Sequence, residues 1–197
     1  MSKNRLEAFS DGVIAILITI MVLELHVPED DSLEALRPLL PVLASYAMSF
    51  VFVGVYWNNH HHLLQAVDRV NGRVLWANLH LLFWLSLVPF TTAWMGENQF
   101  TRWPVAAYGL DLWMCAVAFT ILVVHLRHLH GPESVLDTAI GNDVKGKISL
   151  ALYTAAIPTA LVLPWVSVAI YVLVTVMWWV PDRRIERALA PLAPGDA

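Results

Sequence analysis

Charged side chains stand directly against an apolar run at the start of this chain, and charge in that position demands a partner. Arg5, Glu7, Ser10 and Asp11 form a polar turn, after which residues 12–23 carry one polar group, Thr19. An ionisable group this close to hydrocarbon faces a bundle interior or a watery path and pairs there. The chemistry open to such a turn is electrostatic clamping of a helix or catalysis, and clamping is the commoner use. Candidate partners by type are Trp57, Asn58, Asn59, His60, His61 and His62, followed by Asn71 and Asn78.

The run His60-His61-His62 suggests a metal, but neighbouring helical residues fan out by about 100° each and cannot converge on one ion. The sequence contains no His pair at i, i+4 and no HExxH. His125, His128 and His130 cluster near the end of another apolar segment, where interfacial histidines without metal are the simpler reading. No GxSxG is present and no carboxylate is placed to orient a histidine, so neither a metalloenzyme nor a serine hydrolase is expected. Two further acids remain. Asp111 lies several residues inside an apolar segment, either as a substrate or proton site or as a hydrogen-bonded group near the interface. Glu24 lies at the far end of the first segment, where copies around a pore would concentrate cations at its mouth.

These groups must be positioned by membrane helices. The chain is 58% apolar and 14% charged, against about 25% charged in soluble domains, and its mean hydropathy is +0.60. A net charge of −4 gives no basic surface for nucleic acid, and the single Cys115 excludes an intrachain disulfide. Six apolar segments run roughly over 7–26, 40–63, 74–95, 104–126, 148–163 and 165–181. The first is read as a retained span because no small-residue cleavage site follows it. Pro164 is placed to open the sixth helix, and Pro158 is expected to kink the fifth. The expectation is an all-α membrane protein with one six-helix domain over residues 1–182 and a short cytoplasmic tail over 183–197. Ten of the 12 Lys and Arg residues fall at the termini and in the second and fourth loops, leaving Arg37 and Arg102 opposite, which puts both termini in the cytoplasm. Trp94, Trp103, Trp165, Trp178 and Trp179 fall near helix ends, as an interfacial belt requires.

On the first helix, Ile16, Ile20 and Leu23 share a face at i, i+4 and i+7, with Thr19 about 60° to one side and Asp11 about 140° away. Periodicity alone reads that stripe as lipid contact or helix packing.

Arg5-Leu6-Glu7-Ala8-Phe9-Ser10-Asp11 matches the R-x-x-x-F-S-D signature of the transmembrane protein 175 family of potassium channels. The chain resembles that family again at Trp57 with His60-His61, at Asn78-Leu79, and at Leu87-Val88-Pro89-Phe90-Thr91-Thr92. The resemblance implies a prokaryotic, single-repeat member, acting as a homotetramer in the plasma membrane with the first helix lining the pore. It implies a constriction at Ile16, further pore layers at Ile20 and Leu23, and a filter threonine at Thr19. It also implies a polar network that holds the pore helix, made of Arg5, Phe9, Ser10, Asp11, Trp57 and His60, with His61 and Asn78. No cofactor is expected; the permeant ion would be K+, with Rb+ and Cs+ also passing. The rival from another class is a proton-coupled small-solute transporter using Asp111 and the histidines, and a third reading is a membrane scaffold with no flux.

Overall fold

The computed structural model describes residues 3–28, 30–132, 134, 136, 137, 141 and 143–179. The expected tail over 183–197 and the domain boundary at 182 lie outside them. Among the described residues the chain is helical, with no strand. The helices are α1 (Lys3–Leu23), α2 (Leu40–Gln65), α3 (Gly72–Leu85), α4 (Val88–Glu97), α5 (Arg102–His130), α6 (Val144–Ala160) and α7 (Pro164–Trp179), with a 3-10 turn over Leu33–Leu39 leading into α2.

Helix ends follow local chemistry. Asn71 caps α3 by accepting from the Val74 N–H at 3.0 Å, and Asp143 caps α6 by accepting from the Gly146 N–H at 3.1 Å. Pro164 opens α7, where its missing N–H leaves no bond unmade. Gly131 closes α5 in a conformation with φ of 83°, which a side chain would strain.

Two expectations need correction. The single helix expected over 74–95 is two helices, α3 and α4, separated at Ser86 and Leu87. The cause is Pro89, which has no N–H for the Leu85 carbonyl and whose ring crowds it. The turn makes other bonds instead: the Ser86 N–H donates to Leu82 O at 2.9 Å and the Leu87 N–H to Trp84 O at 3.0 Å. Pro158, expected to kink its helix, stands in the last turn of α6, which stops at Ala160.

Four stretches are long and apolar enough to cross a membrane: Lys3–Leu23, Leu33–Gln65, Gly72–Glu97 and Arg102–His130. The fifth and sixth apolar segments form shorter helices, α6 and α7, of 17 and 16 residues. They pair antiparallel: Ser167 Oγ donates to Ala156 O at 2.7 Å, and Trp178 Nε1 donates to Ser149 Oγ at 2.8 Å.

The centre of the bundle is α5, which packs against α3, α4, α6 and α7. Its Tyr108, Leu112 and Leu122 are fully buried, with Leu81 and Leu85 of α3 and Tyr171 of α7. Gly109 lets Tyr171 lie against the α5 backbone, because a Cβ there would collide with the phenol. By contrast, α1 packs mainly on α2, α3 and α4, at the margin of the bundle.

Candidate functional site

The marginal position of α1 divides it into two faces. Leu6, Ser10, Ile14, Leu17 and Met21 step by four, four, three and four residues and are buried against the bundle. Phe9, Gly12, Ile16, Thr19, Ile20 and Leu23 lie on the uncovered side. Ile16 is 57% exposed and Leu23 is 79% exposed, whereas Ile14 is 1% exposed. Thr19 Oγ1 donates to the Ile16 carbonyl at 2.9 Å, so its oxygen remains free to accept. Glu24 is exposed just past the helix end.

The buried face is fastened by directed hydrogen bonds. Ser10 Oγ donates to Leu6 O at 2.8 Å and accepts from Asn78 Nδ2 at 2.9 Å. Asn78 Oδ1 lies 2.7 Å from His60 Nε2, and since that oxygen can only accept, the imidazole proton sits on Nε2. All three side chains are fully buried, which makes each bond costly to lose. A second set lies nearer the surface. Trp57 Nε1 donates to Asp11 Oδ1 at 3.0 Å, and the Trp57 ring stacks on His61 with centroids 6.0 Å apart. His61 Nδ1 stands 3.2 Å from Glu7 Oε1, and its Nε2 is 2.8 Å from Gln65 Nε2. With Gln65 donating to Nε2, the ring proton faces Glu7. Lys3 Nζ donates to Leu64 O and Val67 O at 3.2 and 2.8 Å, crossing the C-terminal end of α2. A cation there also complements the helix dipole.

Ser10, Asp11, Trp57, His60, His61 and Asn78 thus meet around the start of α1. Arg5 and Phe9 do not join them: both are exposed, and Arg5 has no hydrogen bond or ion pair among the described residues. The three consecutive histidines diverge, His60 to Asn78 and His61 to Glu7. Glu7 corrects the expectation that no carboxylate orients a histidine. The sequence signal was present, since Glu7 is four residues before Asp11 and shares its face. Lys3 gave no such signal, because its partners are backbone carbonyls more than 60 residues away.

Asp111 is separate from all of these. It is 3% exposed, with Oδ2 3.0 Å from Thr91 Oγ1 and Oδ1 without a partner among the described residues. His125, the nearest member of the α5 histidine cluster, lies 14 residues along the same helix, a rise of about 21 Å. The helix therefore keeps the acid apart from the α5 histidines. His125 and His130 bond the Ile121 and Leu126 carbonyls of their own helix. Among the described residues no three His, Cys, Asp or Glu side chains gather as a metal site would need.

The family described as the endosomal/lysosomal potassium channel TMEM175 matches residues 5–89, the stretch that contains most of α1, all of α2 and α3, and the fastening network apart from Lys3. A potassium channel of Chryseobacterium sp. strain P1-3 is 52% identical, over 96% of this chain and 98% of its own length. The chain belongs to the TMEM175 family. Another relative, a potassium channel of Streptomyces collinus, is 34% identical over 84% of each chain. The zebrafish endosomal/lysosomal proton channel TMEM175 is 30% identical over 66% of this chain and 25% of its own. The crystal structure of a lysosomal potassium-selective channel TMEM175 homologue from Chamaesiphon minutus superposes with a TM-score of 0.79 at 29% identity, covering 91% of this chain and 97% of that one. This TMEM175-family chain therefore shares both the sequence signature and the helical layout of an ion-channel family.

Proposed function

We propose that the protein is a potassium-permeable cation channel in which α1 of each of four identical subunits lines a central pore. The observation that carries this reading is the two-sided α1: one face is buried and hydrogen-bonded to the bundle, and the other is apolar and uncovered at Ile16, Ile20 and Leu23. Four such faces around an axis make stacked apolar rings. A narrow apolar ring dewets and raises a barrier to a hydrated ion, so it both gates and sieves. K+ loses part of its hydration shell more readily than Na+, which favours K+, Rb+ and Cs+ at the Ile16 ring. Thr19 oxygens offer partial compensation one turn further on, and Glu24 raises cation concentration at the mouth.

The fastening network holds the pore helix rather than touching the ion. In this reading Arg5 and Phe9, exposed in one chain, lie where a neighbouring subunit packs. In this reading both termini face the cytoplasm, which the Lys and Arg distribution supports, and six segments cross the membrane, the short α6 and α7 as the last two. The setting in this reading is the plasma membrane of a prokaryote, which the bacterial source of the relatives named as potassium channels supports.

Purified protein in liposomes, with K+ and Na+ gradients and a proton-sensitive dye, tests the proposal. Passive K+ flux that exceeds Na+ flux is expected. Saturable flux driven by a pH gradient would favour a transporter, and absence of flux a scaffold.

A further inference from the structure

Among the described residues Asp111 on α5 is the one deeply buried acid, and no counter-charge pairs with it. The titratable groups on which Asp111 bears electrostatically are Tyr56 of α2 and Tyr108 and Cys115 of α5 itself. Tyr171 of α7 stands next, against Tyr108, and Tyr153 of α6 against Tyr171. From α4 comes only the Thr91 hydroxyl. No Lys, Arg or His pairs with Asp111 among the described residues.

The hydrogen bonds around Thr91 can be counted. Its Oγ1 is 3.0 Å from Asp111 Oδ2, 3.2 Å from Val88 O and 3.3 Å from Leu87 O. A hydroxyl has one proton, and the two carbonyls can only accept. If Thr91 gave that proton to an ionised Asp111, the carboxylate would hold a full charge in an apolar core on one bond, with Oδ1 bare. Burying an unpaired charge in this way is strongly unfavourable. If Asp111 carries a proton, it donates to Thr91 Oγ1, and Thr91 donates onward to a backbone carbonyl. Oδ1 is then a neutral carbonyl, the mildest form of unsatisfied acceptor.

We propose that Asp111 is a proton-binding site, occupied at neutral pH, whose acid O–H is donated to Thr91 Oγ1 and ties α5 to the first turn of α4. Thr91 sits directly after the Ser86–Leu87 break and touches the Leu87 carbonyl at its edge. The acid therefore braces the break within the third apolar segment. It lies inside one subunit, away from the uncovered face of α1, and the inference does not depend on the channel reading.

Infrared difference spectroscopy of the full-length protein, wild type minus Asp111→Asn, tests this at neutral pH. The expected result is a C=O stretching band of a protonated carboxylic acid in the wild type, shifted in D2O and lost in the variant. Carboxylate bands alone in that difference would overturn the proposal. Should Asp111→Asn fail to fold, Thr91→Val and Thr91→Ser carry the same test. Thr91→Val is expected to move the acid band to higher frequency, and Thr91→Ser to leave it in place. A band unmoved by Thr91→Val would overturn the assigned partner.

Discussion

Asn78 donates its side-chain amide to Ser10 Oγ across 2.9 Å, joining α3 to α1 inside an otherwise apolar contact. The same amide accepts from His60 through its oxygen, so one side chain connects α1, α2 and α3.

Replacing Asn78 with Leu strands the buried His60 Nε2–H and also removes the donor to Ser10 Oγ, whose own proton still bonds Leu6 O. Each buried polar group left without its partner costs about 1–3 kcal/mol. Asn78→Leu is therefore expected to lower the unfolding temperature in detergent by more than Ser10→Ala, which strands only the Asn78 amide. Thermal unfolding followed by size-exclusion chromatography measures both.

Asp11 accepts the Trp57 indole N–H at the edge of the network. Asn at this position keeps an acceptor oxygen, whereas Ala does not. Asp11→Ala is expected to reduce the assembled fraction, seen by light scattering, while Asp11→Asn retains most of it. The bond contributes about 1 kcal/mol, so selectivity in surviving channels should hardly change.

Gly109 and Tyr171 form a close backbone-to-ring contact in the core. Gly109→Ala drives a methyl into the phenol and is expected to cost about 1–3 kcal/mol through overpacking. Adding Tyr171→Phe removes the atom nearest the clash and should recover part of that loss, although it gives up the bond from the Tyr171 hydroxyl to Val105 O. Unfolding temperatures of the single and double variants check the coupling.

The helical layout was legible because apolar runs and punctuating residues are local signals. Pro164 opened α7 where its chemistry said it should. Pro89 was equally local, but the apolar run continues through it, and hydropathy does not register a missing N–H. Faces were harder to read. Periodicity grouped Ile16, Ile20 and Leu23, but in a helix apolar on every side it could not show that Ile14 and Leu17 meet the bundle. That depends on where α2, α3 and α4 sit. The Lys3 contacts to the end of α2 were invisible for a related reason, since backbone carbonyls carry no sequence signature.

The reversal potential of Ile16→Asn channels, recorded with K+ on one side and Na+ on the other, bears most directly on the pore. A polar side chain at a water-filled constriction would hydrate the neck and admit Na+. The reversal potential should then move from the K+-selective value toward zero, with Ile16→Ala moving the same way. A reversal potential identical to wild type in both variants would place Ile16 outside the ion path and contradict a pore lined by α1.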